Sequence, residues 1–420
     1  MTAMKNPRWR AYLGLVLIAA GLVALPFMGS LVEHAPRFVL FYGLSCAGFA
    51  LVATATASLP LRGVIVAAVI LRVIFLPVTP SLTNDYYRYI WDGRVQLQGI
   101  NPYLYTPRSP ALDSVAYDDR GLINHDGLRT IYPPLAQAAF LGVAAFDGGL
   151  PALKLVFGAF DLAAAIAIWW LAAPRRRHAA TVLYLLCPAV ILQTWWSAHL
   201  EAIAVFFVVA AAALLVHRRD AAAGVALGFA VAFRVTPLVL LVPVLLGGRT
   251  RPLRFLAGFL PAIAIPYAPY LLTGGAFGSL FQGGTTWTGS AFIFSPLARV
   301  VSPRVALLLC AIILATGSLA IARSLRGRES TAAAFAWELS LLLICLPVVH
   351  SWYWLPPLAL GLAGGVWLPV AMGIVTPLGA VLPRAWEQHL PPWPQAGILT
   401  TSRRAIVHPF AHRRGVPRRR

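Results

Sequence analysis

The sequence predicts an all-α, polytopic transmembrane helical bundle with a large first external loop that carries short helices. Three observations lead there. Hydrophobic residues make up 59% of the 420 residues, charged residues only 11%, and the mean hydropathy is +0.75. A globular domain carries about 25% charged residues, so this chain has too little polar surface to face water throughout. Its apolar residues gather into runs near the roughly 20 that span a bilayer. Its basic residues, 34 Lys and Arg against 14 Asp and Glu, fall in short clusters between those runs, as cytoplasmic loops do. In a soluble protein a net charge of +20 would point to nucleic acid. Here it orients helices, and no nucleic-acid partner is expected.

Lys5, Arg8 and Arg10 precede the first apolar run, residues 11–29, which is long enough to be an uncleaved first helix. Residues 38–59 and the shorter 62–78 follow. Three crossings from a cytoplasmic start put the next interval, about 80–131, outside. Six of the fourteen acids lie there: Asp85, Asp92, Asp113, Asp118, Asp119 and Asp126. Residues 135–146 are opened by two prolines and are too short to cross, which predicts a membrane-embedded or re-entrant half-helix.

Residues 153–173 return to Arg175–Arg177, 179–198 go out, and 200–216 come back to Arg218 and Arg219. Residues 221–233 and 236–246 read as two short crossings that meet at Arg234. Residues 255–272 lead to a second external loop, 273–304, which contains Trp287. Runs 305–322, 332–349 and 352–372 complete about 12 crossings with both ends inside. Residues 373–383 either add a helix or do not. Residues 1–383 thus form one membrane-embedded domain, and 384–420 a basic cytoplasmic tail without fixed structure, suited to anionic lipid. The four cysteines lie inside apolar runs with neither paired nor metal-ligand spacing, so no disulfide or metal site is expected from them. No repeat of two halves, as transporters carry, is visible.

Chemistry concentrates in NDYYRYIWDGRVQLQGINPYLY, residues 84–105. Asp85 and Asp92 are seven apart, on one face of a helix, and either carboxylate is suited to deprotonate a hydroxyl. Arg88, Tyr89, Trp91, Arg94, Asn101 and Tyr103 are the substrate-binding candidates. Aromatic faces cover sugar C–H surface while guanidinium and amide groups take hydroxyls and phosphate. The plainer alternative pairs both acids with Arg88 and Arg94 and makes GINPYLYTP a rigid turn. Asp118, Asp119, Asp126 and His125 offer ligands for a divalent cation, or simply form a solvated acidic segment.

His199 and Glu201 stand at a helix end in WWSAHLEAIA, where polar residues at membrane depth mark function. Trp195 and Trp196 beside them also suit an interfacial belt. Arg234 interrupts two apolar runs at a cost of about 2.5–3.5 kcal/mol at mid-bilayer, which a snorkelling position or a bound lipid phosphate would relieve. His350 and Trp352, in PVVHSWYWLPP, lie at another boundary. Lys154 and Asp161, seven apart in one apolar run, read as partners for each other. Helix length and basic clusters alone bring His199, Glu201, Arg234, Trp287 and His350 to the side of the Asp85 loop.

Together these segments resemble the GT-C superfamily of polytopic glycosyltransferases, especially bacterial polyprenyl-phosphate-mannose-dependent mannosyltransferases. The resemblance rests on D-x-x-R-Y-x-W-D-G from Asp85 and G-x-N-P-Y from Gly99. It also rests on YPPLAQ at 132–137, SAHLEA at 197–202 and HSWY at 350–353. It spans about residues 81–357. It implies inverting transfer of a sugar, mannose by resemblance, from a polyprenyl-phosphate donor to an acceptor hydroxyl at the outer face of the cytoplasmic membrane. The base maps onto Asp85. Many members carry two adjacent acids there, whereas this chain has Asn84–Asp85, which keeps Asp92 as a second candidate and leaves metal dependence open. Implied partners are the lipid-phosphate donor, a lipid or glycan acceptor and membrane lipids. No cofactor is assigned, and a divalent cation stays open. The rival reading, a flippase or transporter of lipid-linked sugars, predicts polar residues at mid-bilayer and symmetric halves. A second rival is a ligase that moves whole glycans from a lipid diphosphate.

Overall fold

In a bilayer an apolar run has no backbone partner but itself, so it folds as a helix. The computed structural model describes residues 8–29, 34–280, 291–325 and 328–379, without the side chains of 328 and 329, and among these there is no β-strand. The expected basic tail, 384–420, and Trp287 lie outside the described residues.

Helices α1 (Arg8–Ala24) and α2 (Ala35–Ala53) meet backbone to backbone at Gly14 and Gly48, where a Cβ on either would overlap the other's carbonyl oxygen. Helix α3 (Leu61–Val73) stops short of the expected residue 78. Pro77 explains this, because its ring clashes with the carbonyl four residues back, that of Val73.

The loop that follows is built on α4 (Asp85–Leu97), two 3-10 turns (Pro110–Leu112 and Asp118–Leu122) and α5 (Pro134–Ala145). The α4–α5 crossing is close at Gly93, whose missing side chain leaves room for the Phe140 carbonyl. Helix α5 is the short helix expected from 135–146.

Helix α6 (Leu150–Leu171) runs in one piece, but the expected run 179–198 does not. It is α7 (Arg177–Leu185) and α8 (Pro188–Ile191), the latter continuing as a π-helical turn, Leu192–Trp196, with a 46° bend at the break. Pro188 supplies the reason, since it has no N–H for the preceding turn. Helices α9 (Glu201–Val216), α10 (Asp220–Phe233) and α11 (Leu241–Leu246) follow, and Arg234 lies directly after α10, as expected. Helix α12 (Pro252–Leu272) locks onto α10 through Gly224 and Gly258.

The last helices are α13 (Phe294–Val300), α14 (Pro303–Ser324), α15 (Arg328–Cys345), α16 (Leu355–Gly364) and α17 (Trp367–Gly379). One run was expected over 352–372. The structure breaks it at Gly365, whose φ of 74° is left-handed and suits glycine, and α17 takes up most of 373–383.

Among the described residues, five helices are long and apolar enough to cross a membrane: Arg8–Phe27, Ala35–Ala53, Leu150–Leu171, Pro252–Leu272 and Pro303–Ser324. The bent pair α7–α8 makes a sixth if it counts as one span. The main apolar core gathers residues of α2, α6, α7, α9, α10 and α16.

Candidate functional site

Asp85 opens α4, where the helix dipole favours a carboxylate, and its backbone N–H donates to Thr83 Oγ1 at 3.2 Å. Asn124, in the irregular stretch after the second 3-10 turn, donates through Nδ2 to Asp85 Oδ1 at 2.7 Å and to Asn84 Oδ1 at 2.9 Å. The other oxygen, Oδ2, stands 4.0 Å from His199 Nδ1, on a side chain that remains 18% exposed. Asp85 is thus held by one oxygen and presented by the other.

His199 follows the π-helical turn. Its backbone N–H donates to the Gln193 carbonyl, and the residue before it, Ala198, takes a left-handed φ of 54°. Its ring is fully buried, with neither nitrogen hydrogen-bonded among the described residues. It stacks on Trp352 at 3.7 Å between centroids, and Trp352 stacks in turn on His350 at 4.5 Å, nearly parallel. Burial first, then the charge of Arg234 and His350, hold His199 well below the usual imidazole value of 6.5. Burial also lowers His350, against an upward pull from Asp85. Both rings are neutral at pH 7.

Arg234 pairs with the buried carboxylate of Glu201, and its guanidinium lies 4.4 Å over the Tyr353 ring. Glu201 is therefore its counter-ion. The expected candidates Glu201 and Arg234 are brought together, but the arginine reaches the site with its charge largely matched.

These groups wall a cavity of about 1020 Å³. Asp85, Arg88, Tyr89, Arg234, His350 and Trp352 line it, and His199 and Glu201 lie immediately behind. Arg129 also lines it, and its side chain has no hydrogen bond or ion pair among the described residues. The opposite wall is apolar: Val39 of α2, Leu82, and Met372, Val375 and Leu378 of α17. Val39 and Val375 are themselves 42% and 57% exposed, so this wall runs on to the outer face of the bundle.

The remaining expected residues are elsewhere. Asp92, though seven residues from Asp85, is buried, accepts from Arg88 Nε at 2.7 Å and Gln137 Nε2 at 2.9 Å, and does not line the cavity. Its place in the α4–α5 contact removes it as an alternative base at this cavity. Trp91 packs in the loop's own core beneath Arg120 and Tyr117. Arg94 binds the Ala116 carbonyl and faces Asp147 at 3.6 Å. Asn101 donates to the Tyr270 carbonyl, Thr273 Oγ1 and the Gly275 carbonyl, and Tyr103 donates to the Tyr132 carbonyl at 2.6 Å. Asn101 thus ties the loop to the end of α12 and Tyr103 ties it to the approach of α5, which is the rigid-turn reading of GINPYLYTP. The acids Asp118, Asp119 and Asp126 with His125 do not gather: among the described residues no group of three or more His, Cys, Asp or Glu could hold a metal ion.

Lys154 and Asp161 do not pair with each other. Lys154 donates to the Phe75 and Val78 carbonyls, and Asp161 pairs with Arg72. Sequence reasoning missed Asn124, Arg129 and Tyr353. Asn124 and Arg129 sit in an irregular stretch with no periodicity to mark them, and Tyr353 lies among aromatics at a run boundary, where an interfacial position accounts for them equally well. No protein-family model, curated protein or solved structure matches the chain.

Proposed function

We propose that this protein is a membrane glycosyltransferase of the GT-C type. It would move a sugar, mannose by resemblance, from a polyprenyl phosphate to an acceptor hydroxyl at the outer face of the cytoplasmic membrane. The observation that carries the reading is the composition of one cavity. It joins a presented carboxylate, Asp85, a guanidinium with no partner among the described residues, Arg129, and an apolar wall continuous with the outside of the bundle. A lipid-linked sugar phosphate needs all three: an apolar path for the chain, a cation for the phosphate and a base beside the sugar.

In this reading the chain crosses the membrane about 12 times, with the shorter helices supplying the crossings beyond the long ones, and the 80–131 loop faces outward. Asp85 Oδ2 takes the proton of the acceptor hydroxyl as that oxygen attacks the anomeric carbon. The bond from that carbon to the phosphate oxygen breaks, and the lipid phosphate leaves with the electron pair. Arg129 stabilises the growing negative charge, with Arg234 lining the same cavity. Asn124 keeps the carboxylate turned, and the neutral imidazoles of His199 and His350 withhold a competing positive charge from Asp85.

The test uses purified protein in liposomes with radiolabelled polyprenyl-phosphate mannose and a lipid extract of the host. Label entering a new product, and lost in Asp85→Asn with insertion intact, is the expected result. Turnover retained in Asp85→Asn would sink the assignment of the base, and donor reaching the opposite leaflet without transfer would replace the enzyme by a flippase.

A further inference from the structure

Three residues on one face of α6 support both halves of the site. Lys154, Gly158 and Asp161 recur at i, i+4 and i+7, the spacing of a single helical stripe. The Lys154 ammonium group, fully buried, donates to the carbonyls of Phe75, at 2.6 Å, and Val78. From Val78 the chain runs on through Pro80 directly to Asn84 and Asp85. Lys154 therefore pins the approach to the carboxylate.

Asp161 Oδ2, also fully buried, accepts from Arg72 Nε at 2.7 Å and from the Trp195 indole at 2.9 Å. Arg72 Nη1 in turn donates to the Leu185 carbonyl at 2.7 Å. Leu185 ends α7 and Trp195 lies in the π-helical turn beyond the break at Pro188, so the Arg72–Asp161 pair grips the chain on both sides of the bend. Gly158 lets the Trp195 ring lie against the α6 backbone, where a Cβ would overlap it. Ala198 then takes its left-handed φ of 54°, a conformation that a residue with a Cβ keeps only when its surroundings impose it. The next residue is His199.

We propose that Lys154 and Asp161, with Arg72, are positioning residues that set the spacing between Asp85 and His199. Lys154 fixes the strand of chain that ends in the carboxylate, and Asp161 fixes the strained turn that ends in the imidazole. Both act from one rigid helix, so the two sides of the site are referenced to a common frame. Such buried polar groups are costly in a membrane span and are kept there for function. The activity readout below rests on the proposed transfer reaction, whereas the structural readout does not.

The test compares wild type with Trp195→Phe and Lys154→Met. Trp195→Phe keeps a ring against Gly158 and leaves the Arg72–Asp161 pair whole, so it removes one hydrogen bond without stranding a charge. Lys154→Met keeps the length of the side chain and removes its donors. Rates are taken per folded, monodisperse protein, and each variant is imaged by cryo-electron microscopy. The expected result is His199 or Asp85 displaced by about 1 Å relative to the other, with kcat lowered roughly 100-fold and the donor KM unchanged. Unchanged KM is expected because Arg129, Val39 and the α17 side of the apolar wall make no bond to Lys154 or Asp161. The proposal is overturned if kcat is unchanged, or if kcat falls with Asp85 and His199 both in place. If the wild type transfers no sugar, the proposed function fails, and the maps alone decide. Displacement then upholds the positioning role, and superimposable side chains in both variants overturn it.

Discussion

Asp85 and Asp92 are the same residue type, seven positions apart on one helix, yet only one is available for chemistry. Asp85 stands in the first turn with one oxygen free, while Asp92 is sealed between Arg88 and Gln137. The sequence marks both, and the choice between them comes from where α5 packs, which periodicity along α4 does not reveal. Asp85→Asn is expected to lower transfer by about 10²- to 10⁴-fold, the usual worth of a general base, in a liposome assay with insertion intact. Arg129→Gln should raise the donor KM roughly 10-fold and lower kcat as well, because the same guanidinium binds the donor phosphate and stabilises its growing charge. A donor titration checks it. Histidine titration gives a third expectation. His199 and His350 have folded pKa values below the unfolded 6.5, so the unfolded chain binds more protons as pH falls past that value. Stability is therefore full above pH 6.5 and declines below it. Thermal unfolding in detergent between pH 7.5 and 5.5 should show that slope, and His199→Phe should flatten it.

At the scale of elements, the order of helices was legible because apolar length and basic clusters report it directly. What escaped were the breaks. Pro77, Pro188 and Gly365 divide runs that read as continuous, and only Gly365 needs the structure to explain it, through its left-handed φ. The pairing of Lys154 and Asp161 failed for a similar reason. Spacing on one helix suggested each other, but α3 and the bent helix supply nearer partners. The Arg72–Asp161 pair makes a prediction of its own. Asp161→Leu strands a buried guanidinium and should cost about 3–5 kcal/mol, whereas Arg72→Met with Asp161→Leu should recover much of it. Thermal midpoints of the single and double variants decide this, and equal losses in both would contradict it.

For the whole molecule, the convergence of Asp85, His199, Arg234 and His350 was readable from topology alone, since each lies where a run ends on one side. The network that holds the 80–131 loop was not, because Asn101 and Asn124 bind carbonyls and side chains far away in sequence. The same topology can be probed directly. Ser114→Cys, exposed in the first loop, should react with a membrane-impermeant maleimide in intact cells, and Arg251→Cys, exposed before α12, only after permeabilisation. The reverse pattern would invert the assigned orientation.

The apolar wall formed by Val39, Met372, Val375 and Leu378 carries one more consequence. A substrate that arrives along it travels in two dimensions, so its effective concentration is a mole fraction of the bilayer. Adding inert phospholipid at fixed total donor should then slow turnover by surface dilution, while enlarging the aqueous volume should leave it unchanged. The catalytic rate of such a protein would be governed by the lipid composition of its host membrane more than by the solution around it.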